Sequence, residues 1–221
     1  MYAKANAPGF AHEGPLVEWL AQHVPDDVVA PLAIDAARGW VLSPDGGPTF
    51  DVGSGDWTDI VASYVRLQKQ VAPAVDELRG IGVPYLPPSA LSAFYRRTAD
   101  ATAELAPAVA HYAAILTDSR RITLEHNDLH AGNVFGGGQF FDWGDSVLTH
   151  PFLSLRMLEG DWRQQYFDAW GEPVDQRELD AAERLAPLVG LHPWTHIDPL
   201  TGPWAEFVAD LHARLRRSLT L

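Results

Sequence analysis

Two short polar motifs constrain this chain more than any other feature of its sequence. The first begins at His126 and ends at Asn133, and it reads H-x-D-x-x-x-x-N; the second reads D-W-G-D at 142–145. They supply two carboxylates and one amide oxygen, from Asp128, Asp142 and Asn133. Side chains of this kind can hold a hydroxyl group and a divalent metal in one place. We therefore predict that both motifs contribute to a single polar site.

The chemistry of these side chains is that of phosphoryl transfer, which needs alignment and charge neutralisation more than covalent help. A carboxylate such as that of Asp128 can orient a substrate hydroxyl and accept its proton. The amide oxygen of Asn133 and the carboxylate of Asp142 suit Mg²⁺, which prefers oxygen ligands and keeps room for phosphates. We predict Asp128 as the general base and the other two as metal ligands. Alternatively, each of the three could be an ordinary turn residue.

The two histidines of the first motif have less specific roles. His126 is expected to hydrogen-bond to local backbone and to hold the loop in shape. His130 is expected to support the same loop. His126, Asp128 and His130 stand at alternate positions, so they could instead bind a transition metal. That alternative leaves Asn133 and Asp142 without a role and is the weaker interpretation.

Asp145 closes the second motif and has two candidate roles. It could contact the substrate, or it could cap a helix that follows it. Ser146 beside it favours the cap, since Asp and Ser are both preferred at helix N-caps.

The two motifs resemble those of the aminoglycoside phosphotransferase-like kinases, in the runs HNDLHAGNVF and FFDWGDS. This family includes antibiotic kinases, choline kinases and other small-molecule kinases, and it shares the protein-kinase fold. The resemblance implies transfer of the γ-phosphoryl group of ATP to a small-molecule hydroxyl, with Mg²⁺ as cofactor. By this likeness Asp128 is the base, and Asn133 and Asp142 hold the metal.

The resemblance extends to the N-terminal region through a lysine and a glutamate. Lys4 and Glu13 are similar to the strand lysine and helix glutamate that pair in the small lobe of such kinases. Lys4 would then contact the α- and β-phosphates, and Glu13 would hold it. Residues 39–43 would form the last small-lobe strand and the hinge, so Val41 and Ser43 would meet the nucleotide. The alternative is two solvated charges near a chain end.

The implied fold is α+β, with two lobes as in protein kinases. A small β lobe is expected at 1–45 and a large, mainly helical lobe at 46–221, which carries the catalytic loop 126–133. With Lys4 as the strand lysine, the first two strands and their Gly-rich loop are missing, so a truncated small lobe is expected. Loss of that loop would weaken nucleotide binding. The glycines at 136–138 follow the catalytic loop and predict a hairpin turn.

Hydrophobic periodicity predicts strands near the N-terminus and around the two motifs, and helices elsewhere. The strands are predicted at 1–5, 28–34, 39–42, 122–124, 134–135 and 140–141. The helices are predicted at 15–23, 57–79, 89–117, 151–159, 162–169, 176–189 and 204–219. Ser89 is the expected N-cap of its helix, and Pro107 is expected to kink or split it. Most of the C-terminal tryptophans are expected in the core.

Composition excludes some classes of partner. The formal net charge of −13 argues against nucleic acid, whose phosphates demand clustered Lys and Arg. An acidic surface would suit a cationic small-molecule substrate, although solubility and compositional bias are the simpler explanation. No apolar run approaches the ~20 residues of a membrane span, so no membrane partner is expected. The absence of cysteine excludes disulfides and thiolate sites and is compatible with the expected cytoplasmic location.

Three functions remain open at this point. The leading one is an ATP-dependent small-molecule kinase. The missing Gly-rich loop favours a second, a non-catalytic kinase-like module that binds a nucleotide or a small molecule. The third is a metal-dependent hydrolase that would use His126, Asp128, His130 and Asp142.

Overall fold

The computed structural model describes residues 1–51, 57–153, 161–171 and 175–220. The strands are β1 Tyr2–Ala5, β2 Ala33–Asp35, β3 Trp40–Ser43, β4 Thr123–Glu125 and β5 Val147–Thr149. The helices are α1 Glu13–His23, α2 Trp57–Val71, α3 Val75–Gly80, α4 Pro88–Tyr95, α5 Ala106–Asp118, α6 Asp161–Trp170, α7 Gln176–Gly190 and α8 Pro203–Thr220. The fold class is therefore α+β, as predicted. The division into lobes at 1–45 and 46–221 stays a prediction.

The N-terminal sheet has the strand order β1-β3-β2, and both pairs are antiparallel. Lys4 on β1 lies opposite Val41 on β3, which places both side chains on one face of the sheet. The strand predicted at 28–34 is wrong in its first half, because β2 covers only its end. The preceding backbone pairs elsewhere: the N–H of Phe140 donates to the carbonyl of Asp27 over 2.7 Å. This contact ties the N-terminal segment to the second motif.

Helix α2 supplies the central wall of the core. The helix predicted at 57–79 is wrong as one continuous element, because Pro73 lies in a short 3₁₀ turn between α2 and α3 and has no N–H to donate. Tyr64 is fully buried on α2, and burial of a large side chain contributes about 2–3 kcal/mol. Its hydroxyl accepts the backbone N–H of His126 over 2.9 Å. The core thus fixes the start of the first motif.

The long helix predicted at 89–117 is two helices. Helix α4 ends at Tyr95, and α5 begins after ten intervening residues, at Ala106 next to Pro107. Pro107 lies in the first turn of α5, where the missing N–H costs no intrahelical hydrogen bond. The expected N-cap at Ser89 is wrong, since Ser89 lies inside α4 and the cap position is held by Pro87.

The C-terminal helices predicted at 162–169, 176–189 and 204–219 are confirmed as α6, α7 and α8. Helix α8 packs against α7, and its buried residues are Leu211, Leu215 and Leu219. The helix predicted at 151–159 lies mostly outside the described residues. Within the part of the chain that the structure describes, no helix combines the length and apolarity that a membrane crossing requires.

The pairing of β4 with β5 brings the two motifs together. The strands are antiparallel, with Glu125 opposite Val147. The chain leaving β4 enters the first motif, and the chain leaving the second motif enters β5. Between the motifs, a tight turn over the glycines at 136–138 connects Val134 to Phe140, which form an antiparallel bridge. The predicted hairpin turn is therefore confirmed, although its strands are reduced to single bridges.

Candidate active site

Backbone contacts join the two motifs at the site itself. The N–H of Phe141 donates to the carbonyl of Asn133 over 3.0 Å, so Asp142 follows a residue bonded to the end of the first motif. His126 is fully buried, with its ring 4.6 Å from the Trp143 ring. Burial lowers the pKa of His126 and favours the neutral form. Its Nε2 therefore donates to the carbonyl of Phe141 over 2.8 Å, a backbone contact of the kind predicted for it.

Two site residues adopt the left-handed backbone conformation. Asn127 has φ 62° and Asp142 has φ 60°, and such positions cost about 1–3 kcal/mol each when the residue is not glycine. The side chain of Asn127 donates to the carbonyls of Asp145, over 3.2 Å, and Val189, over 3.4 Å. It connects the first motif to the second and to α7. Sequence reasoning missed Asn127, although Asn tolerates this conformation better than most residues.

Asp128 and Asn133 are in direct contact. The amide nitrogen Nδ2 of Asn133 donates to the backbone carbonyl of Asp128 over 2.8 Å and to its Oδ2 over 3.0 Å. The amide oxygen of Asn133 is consequently the atom left to ligate a metal. Asn133 is buried, whereas the carboxylate of Asp128 is about two-fifths exposed. The predicted base thus faces an accessible space and is held from behind by the predicted metal ligand.

Lys4, Glu13 and Asp142 form one ion-pair cluster. The Nζ of Lys4 lies 2.7 Å from Oε2 of Glu13 and 2.5 Å from Oδ1 of Asp142. Burial acts to lower the pKa of Lys4, but the two carboxylates outweigh it and raise this pKa above its ordinary value. Burial raises the pKa of Glu13, and Lys4 opposes that effect. The pair predicted in the small lobe is present, and it reaches the second motif.

A cavity of about 350 Å³ opens beside this cluster. Val41 and Ser43 line it, as do the aromatic rings of Phe135 and Phe141, which stack 4.2 Å apart. A Cβ at Gly46 would overlap the Phe135 ring, so the loop after β3 approaches this stack closely. Sequence reasoning placed Val41 and Ser43 at this position and missed the two phenylalanines. We name this space the N-terminal cavity.

A second cavity of about 350 Å³ lies at Asp128. Its walls include His130 and Asp145 and an aromatic cluster from the C-terminal region; its lining residues are Asp128, His130, Asp145, Gly190, Trp194, Trp204 and Phe207. The expectation that Asp145 caps a helix is wrong, because strand β5 follows it. Asp145 instead faces this space, which we name the C-terminal cavity.

The aromatic wall of the C-terminal cavity was not foreseen. The rings of Trp194 and Trp204 stack 5.3 Å apart, and the Phe207 ring lies 5.5 Å from Trp194. Trp204 is 60% exposed and is therefore an exception to the expectation that most of these tryptophans lie in the core, whereas Trp170 is buried. Trp204 and Phe207 stand three positions apart on α8 and share one face. Residues that a helix buries in a core have the same spacing as residues that line a cavity, so the spacing does not distinguish the two.

The transition-metal alternative finds no support in this geometry. His126 uses Nε2 to bond the carbonyl of Phe141, whereas His130 faces Asp128 and the C-terminal cavity. The alternation in sequence therefore does not bring the two imidazoles to a shared centre. Among the described residues, no group of three or more His, Cys, Asp or Glu side chains is arranged so that it could hold a metal ion.

The sequence profile of the phosphotransferase enzyme family (APH) matches residues 2–188. The chain belongs to this family. The predicted resemblance is thereby confirmed. No curated protein matches the chain.

Solved structures of small-molecule kinases are similar to this chain. Choline kinase LicA from Streptococcus pneumoniae is similar with a TM-score of 0.70 and 14% identity, over 99% of this chain and 85% of that chain. The GDP and kanamycin complex of APH(2")-IIia gives 0.65 and 15%, over 95% and 82%. A choline/ethanolamine kinase family protein from Mesorhizobium loti gives 0.57 and 14%, over 98% and 80%. At these identities the likeness shows the fold, which is the protein-kinase-like fold predicted.

Proposed function

We propose that this phosphotransferase moves the γ-phosphoryl group of ATP to a hydroxyl of a small, amine-bearing molecule. The observation that carries the proposal is the set of hydrogen bonds that links the linings of the two cavities through Asn133. Asp142 lines the N-terminal cavity, and Asp128 lines the C-terminal cavity. Asn133 forms the junction between the two linings: its side chain donates to Asp128, and its carbonyl accepts the N–H of Phe141, which precedes Asp142. A donor in one cavity and an acceptor in the other would meet there.

The N-terminal cavity suits a nucleotide. Its aromatic and aliphatic lining, with the stacked Phe135 and Phe141, fits a flat base, and Val41 and Ser43 supply hinge backbone. Lys4 would contact the phosphates while Glu13 holds its ammonium group in place. The related structure of APH(2")-IIia contains GDP. We assign ATP as the donor here, with GTP as the alternative to be measured.

The donor atoms at the junction suit Mg²⁺. The carboxylate of Asp142 is half exposed, and the amide oxygen of Asn133 is left over after its nitrogen binds Asp128. An amide oxygen and a carboxylate, completed by phosphate oxygens and water, form a ligand set typical of Mg²⁺. When bound, the metal would neutralise phosphate charge. Asp128 would orient the acceptor hydroxyl and take its proton late in the transfer.

The C-terminal cavity suits a cation. Asp128 and Asp145 provide negative charge, Trp194 and Trp204 provide ring faces, and the lining contains no Lys or Arg among the described residues. A cation over an aromatic face gains about 0.5–2 kcal/mol. Two of the similar structures are a choline kinase and a choline/ethanolamine kinase family protein, and a third, that of APH(2")-IIia, contains kanamycin. These observations support an alcohol that carries an amine or ammonium group.

A phosphate-transfer screen tests the proposal. Mg-ATP and Mg-GTP are each offered with choline, ethanolamine, kanamycin and a neutral sugar, and labelled product is measured. We expect transfer to one of the amine-bearing acceptors and none to the neutral sugar. Asp128→Ala should lower that rate about 100-fold or more, since a positioned base contributes about 10²–10⁴.

Three outcomes count against the proposal. Equal rates for wild type and Asp128→Ala would show that the base is misassigned. Transfer to the neutral sugar alone would contradict the cationic acceptor. Thermal stabilisation by Mg-ATP without transfer to any acceptor would identify a non-catalytic nucleotide-binding module instead.

A further inference from the structure

The imidazole of His130 has a defined orientation at the edge of the C-terminal cavity. Its Nδ1 accepts the backbone N–H of Gly132 over 3.0 Å. A ring nitrogen that accepts carries no proton, so this hydrogen bond places the proton on Nε2. Nε2 lies 3.5 Å from Oδ2 of Asp128. The ring nitrogen that carries the proton is therefore the one at ion-pair distance from the carboxylate of the proposed base.

Side-chain nitrogens of Asn133 and His130 lie near the same carboxylate oxygen of Asp128, Oδ2. Nδ2 of Asn133 donates a hydrogen bond to Oδ2 over 3.0 Å, and Nε2 of His130 lies 3.5 Å from the same oxygen, within ion-pair distance. The hydrogen bond from Asn133 and the electrostatic attraction of the nearby His130 N–H both restrict rotation of the carboxylate about its χ2 torsion, which is otherwise broad. The other oxygen, Oδ1, is then the one presented to an acceptor in the cavity.

Gly132 is required for this arrangement. A Cβ at position 132 would lie 2.7 Å from Cε1 and 2.9 Å from Nδ1 of His130. Real side chains do not approach so closely, so any residue other than glycine would push the imidazole away. Gly132 therefore contributes twice: its backbone N–H orients the imidazole of His130, and its missing side chain leaves room for that ring.

We propose that His130 is a positioning residue, which holds Oδ2 of Asp128 so that Oδ1 receives the acceptor proton. This inference rests on the proposed kinase function. In the step it serves, a bond forms between the acceptor oxygen and the γ-phosphorus. The bond from that phosphorus to the leaving oxygen of ADP breaks, and the hydroxyl proton passes to Oδ1. His130 keeps its own proton throughout.

The orientation can be tested without enzymatic activity. Imidazole ¹⁵N chemical shifts of the wild-type protein in mildly alkaline solution distinguish a protonated ring nitrogen from an unprotonated one. We expect His130 to show a protonated Nε2 and an unprotonated Nδ1. The reverse tautomer would overturn the inference, whether or not the protein transfers phosphate.

The kinetic test uses Mg-ATP and the best acceptor among choline, ethanolamine and kanamycin. His130→Leu should lower kcat about tenfold and leave the KM for Mg-ATP unchanged, because only the base is misoriented. His130→Gln, which can place an N–H near the position of Nε2, should recover most of kcat. Gly132→Ala should resemble His130→Leu. His111→Leu removes an exposed histidine on α5 and should have no effect.

The remaining outcomes also decide the matter. A raised acceptor KM with unchanged kcat, not restored in His130→Gln, would mean that His130 is merely a wall of the cavity. If wild type transfers phosphate to none of the three acceptors although the tautomer is as expected, the proposed function fails, and the positioning role fails with it. Melting temperatures of each variant exclude a loss of folding as the cause.

Discussion

The two cavities have similar volumes, about 350 Å³ each, yet they are built in different ways. Strand register shapes the N-terminal cavity, because pairing of β1 with β3 sets Lys4 and Val41 on one face. Helix packing shapes the C-terminal cavity, because Trp204 and Phe207 reach it only through the placement of α8 on α7. Changes on one side should therefore leave the other side largely intact.

The first and largest effect concerns the N-terminal side. Lys4→Met removes the cation between Glu13 and Asp142. We expect kcat/KM for Mg-ATP to fall about 100-fold, since a charged group aimed at phosphates contributes about that much. The KM of the acceptor should stay within about twofold. Steady-state kinetics with each substrate varied in turn measures both values.

A matched control comes from the same sheet. Arg38 is an exposed cation that pairs with Asp35 next to the turn before β3. Arg38→Met should leave both constants unchanged. If Lys4→Met raised the acceptor KM as strongly as it weakened use of Mg-ATP, the separation of the two sides would be wrong.

The second effect concerns the C-terminal side. Trp204→Ala removes one exposed ring of the aromatic wall, and we expect the KM of an ammonium-bearing acceptor to rise about tenfold. The KM for Mg-ATP should not change. Trp40, which is 53% exposed on β3, is the control, because Trp40→Ala removes an exposed tryptophan that does not line this cavity. Equal acceptor KM values for Trp204→Ala and wild type would contradict the cation site.

A histidine cluster connects the two regions and gives the third, smallest effect. Nε2 of His12, at the start of α1, lies 3.3 Å from Oγ of Ser146. His192 immediately precedes the 3₁₀ turn that contains Trp194. The rings of His192 and His196 lie 5.3 Å apart. Burial, aided by the charge of His196, lowers the pKa of His12 to about 4 and that of His192 to about 4.

The consequence for stability follows from proton binding. The ordinary pKa is 6.5 and the folded value is about 4, so below pH 6.5 the unfolded chain binds more protons than the folded one. The free energy of unfolding should be unaffected above that pH and should fall as the pH decreases towards 4. At pH 5.5 each histidine should account for about 1 kcal/mol of the loss. Lys4 near His12 and Arg97 near His192 act in the same direction.

Denaturant unfolding at about pH 7.5 and about pH 5.5 measures this loss. In His192→Gln the difference between the two pH values should be smaller than in wild type by about 1 kcal/mol. His111→Gln, at an exposed position on α5, should behave as wild type. An unchanged difference in His192→Gln would mean that this histidine is not held neutral in the folded chain.

Local patterns predicted the N-terminal side better than the C-terminal side. The two motifs follow from residue type and the strands β1 and β3 from hydrophobic periodicity, whereas the pair Lys4 and Glu13 was expected from the family resemblance. The same reasoning failed for Val28, because its pairing with Phe140 is a contact between distant parts of the chain. The break at Pro73 was readable from the sequence, since proline removes a helix donor.

The C-terminal wall could not be predicted for a physical reason. Trp204 and Phe207 have the spacing of a buried helix face, and periodicity alone does not distinguish burial in a core from lining of a cavity. Asp145 was assigned to a cap because the element after it was taken for a helix, whereas it is strand β5. Which helix covers which face depends on tertiary packing, and this decides the environment of all three residues.

Helix α8 separates anchoring from recognition along its length. Its first turns carry Trp204 and Phe207, while Leu211, Leu215 and Leu219 further along secure it to the body of the protein. Because the two sets do not overlap, new side chains at the front of the helix can be sampled without loosening its attachment. Under the proposed function, acceptor preference would therefore be open to redirection, by selection or by grafting, through one segment that leaves the first motif untouched.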